Sequence, residues 1–339
     1  MAGAAAAVEE SGQDMFNILS HKAKILPVVA LCAVVAACSD GRRSGSGSAG
    51  GVGVFSDLPP ALLRIAQGPD GACGMDGPLP MVADPRTVDV ERIYRRTGFD
   101  LNAVRLGGPV PGILLADLPD DLGAVRAGDR RKVLFLKALL PAVLYVNHRV
   151  AQQRAFVRSM KGLLDRGGRM SAAERARYDR LADCYGVEDG QIDSLLVRVD
   201  GVPPALALAQ AAVESGWGTS RFAQDGNALF GQRTRRGKGL TPEGVVEADF
   251  RVRSADHLLE SVAAYLHNLN THPAYRTFRV ARAAVRRAGE PLDGTALAAT
   301  LDRYSERGMA YVDALRTIIR GNRLAPFDSA ALVAAGQTS

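Results

Sequence analysis

The stretch that most limits what this chain can fold into is ALALAQAAVES, residues 205–215, where only Gln210 and Glu214 are polar before the closing serine. A helix this apolar on nearly every side belongs inside a core. Residues four apart share a helix face, so Gln210 and Glu214 must look together into a cleft or a buried polar network. Glu214 is also badly placed for helix stability, because backbone carbonyls already gather negative charge at a helix C-terminus and the chain breaks at once into Ser-Gly-Trp-Gly. Beside Trp217, removal from water raises the pKa of a carboxyl and keeps it protonated near neutrality. Donation of a proton to a glycosidic leaving oxygen requires such a group.

With 339 residues, 47% of them hydrophobic, the chain has material for one large core or two modest ones. The apolar run ILPVVALCAVVAA, residues 25–37, follows His21, Lys22 and Lys24 and precedes Cys38. It is short for a membrane span and suits a secretory signal, and VAAC resembles the lipobox at which bacterial lipoprotein signals are cleaved. The expected division is therefore a signal peptide at 1–37, a lipid on Cys38 and a Gly/Ser-rich flexible tether at 38–57. An uncleaved anchor is the alternative. Beyond the tether come a loop-rich segment at 58–128, a helical extension at 129–200, a core at 201–325 and a loose tail at 326–339. Pro141 marks a kink or a boundary in the helical extension, and Ser171 with Glu174 forms a capping box. Alternation in VVEADFRVR closes a small hairpin over 232–253.

After cleavage Cys73 and Cys184 remain in a compartment where disulfides form, and the sequence leaves open whether they are bridged or free. There is no CxxC and no HExxH, and His267 and His272 read as structural, so neither a metal nor a cofactor is expected. Removing residues 1–37 takes away Lys22, Lys24, Glu9, Glu10 and Asp14 and raises the formal charge from +6 to +7. Anionic lipid and cell-wall carboxylates suit such a chain. Nucleic acid does not, because the basic residues interleave with acids instead of forming a stripe.

LALAQAAVESGWGTSRFAQDGNALFGQ resembles the core of glycoside hydrolase family 73, in its Bax-like subgroup of bacterial cell-wall proteins. SVAAYLHNLNTHPAYRTFR and LDRYSERGMAYVDALRTIIRGNRL resemble later signatures of that subgroup in the same order, over about residues 110–325. The resemblance implies a mainly α (α+β) lysozyme-like domain with a small β-hairpin lobe. It also implies cleavage of the β-1,4 link on the reducing side of N-acetylglucosamine in peptidoglycan, in a protein lipid-anchored in the bacterial envelope, by expectation at the outer membrane facing the periplasm.

Carried over residue by residue, Glu214 matches the general acid, and the Gly216-Trp217-Gly218 turn aims it into the groove. Asn227, Leu229, Phe230 and Gly231 match an Asn-x-Leu-Phe-Gly motif. Gln210, Trp217, Asn227, Phe230 and Gln232 are the expected substrate contacts. Tyr304 and Tyr311 fall where the family places a catalytic tyrosine, with the choice between them open. The second carboxylate is expected at Glu247, with Glu243 and Asp249 as alternatives, or is replaced by the acetamido group of the substrate. Arg233 stands where many relatives have an aromatic, and with Arg235, Arg236 and Lys238 it could meet stem-peptide carboxylates. Two rival readings share these residues: a lytic transglycosylase, which needs one carboxylate, and a non-catalytic glycan-binding lipoprotein.

Overall fold

In a computed structural model, residues 62–67, 73, 78–235, 237–241 and 250–333 are described. Cys38, the signal and tether segments, Arg236, Glu243, Glu247 and Asp249 lie outside them.

At the centre is the apolar helix expected from the sequence, α6 (Pro204–Ser215), preceded in the chain by β1 (Leu63–Gln67), β2 (Pro78–Val82), α1 (Thr87–Arg96), α2 (Leu101–Arg105), α3 (Asp129–Asp165), α4 (Ala172–Tyr185) and α5 (Ile192–Arg198). After it come α7 (Arg221–Gly226), β3 (Arg233–Thr234), β4 (Gly239–Leu240), β5 (Arg251–Arg253), α8 (Leu258–Thr271), α9 (Arg276–Arg287), α10 (Gly294–Ala298) and α11 (Met309–Gly321). Ala205 to Ala212 are all buried, and α6 packs against α3, α10, α11 and a short 3-10 turn at Ala325–Ser329. The two small sheets are a β1–β2 hairpin and a three-stranded sheet in the order β3-β5-β4, both antiparallel. The fold is mainly helical with a small β lobe, as the resemblance implied.

The helix α3 runs through Pro141 without ending. Proline there leaves the Lys137 carbonyl without its helical donor and costs about 3 kcal/mol, but Leu139, Leu140, Val143 and Leu144 around it are buried. Each contributes roughly 1.5–3 kcal/mol, which outweighs the break. Nor is α3 an appendage: it packs on α6 and α8, and its apolar face belongs to the same core. The expected loose tail is likewise docked as far as residue 333. Phe327 is fully buried, the Val110 N–H donates to the Ala331 carbonyl, and the Val333 N–H donates to the Val110 carbonyl.

Two devices hold the periphery. Cys73 and Cys184 are bridged, Cα to Cα 5.7 Å, tying the segment between β1 and β2 to the last turn of α4. Arg282 of α9, with no exposed surface, donates to the carbonyls of Val197, Arg198, Asp200 and Gly201 and to Asn270 Oδ1. It thereby satisfies carbonyls at the end of α5 that the helix leaves open. Asp200, itself buried, receives a two-pronged hydrogen bond from Arg286 at 3.0 and 3.1 Å, with Arg154 at 3.6 Å. Burial pushes its carboxyl up, but Arg282, Arg286 and Arg154 together hold it below the ordinary range.

Candidate active site

The α6 helix stops because Gly216 adopts the left-handed conformation, with φ of 58°. Ser215 locks the turn: its hydroxyl donates to the Ala211 carbonyl and accepts from Gly218 N–H. Trp217 follows at φ of 58°, an uncommon value for a residue with a side chain. This turn leaves Glu214 on the last helical turn, half-buried, where the helix dipole already disfavours its charge.

Aromatic side chains from three other parts of the chain close around it. Tyr311, on α11, lies near the Glu214 carboxyl and opposes the rise of its pKa. Tyr304 stacks parallel to Tyr311 with ring centres 5.6 Å apart, and Tyr275 lies at a tilt 5.6 Å from Tyr304. Tyr304 also donates to the Phe230 carbonyl at 2.8 Å, which holds the Asn-x-Leu-Phe-Gly turn in place. Gly231 then passes so close that a Cβ there would meet Glu214 Oε2 at 2.6 Å, and its φ of 61° favours glycine on its own account. Burial raises the Glu214 carboxyl to about 7, against the opposing effects of Tyr311 and the nearby Arg307. A carboxyl with that pKa exists near neutrality in both forms, so it can give up a proton and recover it.

The other expected site residues separate into groups. Gln210 has no exposed surface, accepts from Tyr265 at 2.6 Å and donates to Tyr311 at 3.0 Å, so both ends of its amide are committed inside the protein. Phe230 is also buried and stacks on Tyr265 with ring centres 4.0 Å apart. Asn227 ends α7 in the left-handed conformation, and its buried side chain donates to Asp117 at 3.0 Å, a cap and a tie between loops. Trp217 packs edge-on against Phe135 of α3, with Lys132 over its ring. Gln232 stays partly exposed and donates to the Ala264 carbonyl at 3.4 Å. In the β lobe Arg233 lies over Phe250 and 4.0 Å from Glu306, and Lys238 is paired with Asp256 at 2.6 Å. The expected second carboxylate, Glu247, falls outside the described residues, as do Glu243 and Asp249.

Three participants were not singled out from the sequence. Tyr265 is hidden among Leu258, Val262, Leu266 and Leu269 on the apolar face of α8, where an aromatic reads as core. Tyr275 and Arg307 each sit in a signature stretch without a pattern of their own to mark them.

Residues 195–324 match a family model described as mannosyl-glycoprotein endo-beta-N-acetylglucosaminidase. The chain is similar to protein bax of Escherichia coli (strain K12), 36% identical over 214 residues that cover 61% of this chain and 75% of that protein. No solved structure matches.

Proposed function

Since the chain belongs to the Bax-like glucosaminidase family, we propose that it is a peptidoglycan hydrolase, an endo-β-N-acetylglucosaminidase with Glu214 as its general acid. The observation that carries this reading is the single carboxyl at the end of the buried α6 helix, raised to about 7 by burial and packed so close to Gly231 that a side chain there would clash with it. In the proposed step the Glu214 proton moves to the glycosidic oxygen as the bond from that oxygen to C1 of N-acetylglucosamine breaks. Water then adds to C1 and restores the proton balance. A two-carboxylate route places the partner about 5 Å away for retention or roughly 6.5–9.5 Å away for inversion, and Glu247 is the proposed partner. Tyr304 and Tyr311 are proposed to frame the reacting sugar, with Trp217 and Gln232 at the groove margin. Cys38 is proposed to carry a lipid that holds the domain at the outer membrane, facing the periplasm.

A lytic transglycosylase remains the second reading because of one observation. Among the described residues, the groups acting on Glu214 are Tyr311 and Arg307, neither of them a carboxylate. One acid suffices for that chemistry, in which a hydroxyl of the muramic acid attacks its own C1.

Mass spectrometry of soluble fragments released from purified peptidoglycan, with Glu214→Gln as control, tests the proposal. Reducing-end N-acetylglucosamine, absent from the control, is the expected result. Ends carrying 1,6-anhydromuramic acid would transfer the assignment to the transglycosylase, and equal release by both proteins would remove Glu214 from the chemistry.

A further inference from the structure

Cys73, Cys184 and His267 meet from three parts of the chain. Cys73 lies between β1 and β2, Cys184 is the last residue but one of α4, and His267 is on α8. One donor atom of each, two sulfurs and an imidazole nitrogen, lies within 4.8 Å of the other two, and all three residues are half-buried. The Cys184 sulfur stands 4.0 Å from His267 Nε2. In a tetrahedral zinc site, with Zn–S of about 2.3 Å and Zn–N of about 2.0 Å, a sulfur and a nitrogen ligand are roughly 3.5 Å apart. The imidazole therefore needs to move little to share an ion with Cys184.

We propose that Cys73, Cys184 and His267 hold a zinc ion once the Cys73–Cys184 bridge is reduced. A dithiol supplies the two electrons: its own sulfurs close into a disulfide, the Cys73–Cys184 bond breaks, and each cysteine sulfur takes one proton. Zinc then displaces both thiol protons to water and is bound by the two thiolates. Metals take sulfur as thiolate, so the bridged form does not bind the ion. Bridge and zinc are alternatives at one place.

The donors select the ion. Two thiolates and an imidazole suit zinc, whereas calcium and magnesium take oxygen ligands. The cavity beside the site adds no fourth protein donor, because its polar groups are committed elsewhere: the Tyr185 hydroxyl to Gln153, and the Asn270 amide to the Asp200 carbonyl and Arg282. Water takes the fourth position. Gln153 also donates to the Cys73 carbonyl, so a contact other than the sulfur bond keeps Cys73 beside α4. His267 Nε2 lies 2.9 Å from the Cys184 carbonyl; in the zinc form the imidazole proton sits on Nδ1 and Nε2 is the ligand. The segment at Cys73 thus keeps a tether under reducing conditions, and α8 joins it.

Cobalt(II) is the probe, since thiolate ligation gives it a near-ultraviolet charge-transfer band and tetrahedral geometry gives it strong visible bands. The full chain, reduced with a phosphine that is then removed without air, should bind one cobalt per chain with both sets of bands, and zinc should bleach them. The oxidised protein and reduced Cys184→Ser should show neither set. In reduced His267→Ala the affinity should fall by more than about tenfold. Zinc should raise the melting temperature of the reduced wild type and leave that of reduced His267→Ala unchanged. Far-UV circular dichroism follows the fold throughout; if reduction unfolds the chain, zinc should restore the spectrum. Absence of the bands in the reduced wild type, equal affinity in His267→Ala, or a reduced chain that zinc neither stabilises nor refolds overturns the site. None of these readings involves Glu214 or glycan release.

Discussion

Gly231 lies so close to Glu214 that one added carbon would stand 2.6 Å from Oε2, well inside van der Waals contact. The carboxyl thus occupies space that only a residue without a side chain at 231 leaves open. Gly231→Ala should push the carboxyl out of place and add backbone strain at φ of 61°. A displacement near 1 Å lowers turnover by about two orders of magnitude. The expected outcome is that loss in glycan release, with a melting temperature only modestly lowered.

Glu214 should also be visible in stability. Its pKa is raised in the folded protein to about 7 from the ordinary 4.5 of a glutamate in water. The folded state therefore binds this proton more tightly, and the stabilising effect is complete below about pH 4.5 and lost as pH rises through 7. The loss is at most about 3 kcal/mol, less for the part of the carboxyl that reaches water. Glu214→Gln never ionises, so its melting temperature should exceed that of the wild type by more at pH 8.5 than at pH 4.5. An equal difference at both pH values would contradict the burial argument.

The buried cluster at Asp200 predicts an asymmetric response. Asp200→Ala leaves Arg282 buried without its counter-charge, and breaking a buried pair on one side costs about 3–5 kcal/mol. Urea denaturation should show a midpoint lowered accordingly. Replacement of exposed Arg130, which pairs with Glu91 at 2.8 Å, should change that midpoint little, since exposed pairs contribute about 0–1 kcal/mol.

The Cys73–Cys184 bridge joins residues 111 apart in the chain. Cross-links over loops of this length stabilise by about 2–5 kcal/mol. The Cys73→Ser, Cys184→Ser double variant should melt at a lower temperature than the oxidised protein and should no longer respond to reductant. Reductant should bring the wild type toward the same value.

The sequence carries the central helix openly, because eleven residues with only two polar positions before the closing serine leave few places for it except a core. Glu214 was legible for the same reason, as a charge in company that does not tolerate one. Gln210 was harder. Its spacing from Glu214 shows a shared face, but its partners Tyr265 and Tyr311 arrive from 55 and 101 residues away, and no local pattern reports such a meeting. Without them the amide reads as a sugar contact. Pro141 misleads in the opposite way: local propensity ends the helix, and burial of the flanking leucines and valine overrides it. The bridge between Cys73 and Cys184 rests on the return of a distant strand segment to α4, which spacing cannot display.

At the far end of the helix that carries the acid, Asp328 accepts from the backbone N–H of Ala205 at 2.8 Å and of Gly294 at 2.7 Å. One side chain thus closes the open donors of α6 and α10 together, and Phe327 beside it is sunk in the core. The stretch matching the family ends at residue 324, three short of Phe327. For anyone cutting this protein down to a minimal enzyme, the outline drawn by homology is therefore the wrong pair of scissors: a fragment stopped at 324 unfastens the root of the helix whose tip holds Glu214.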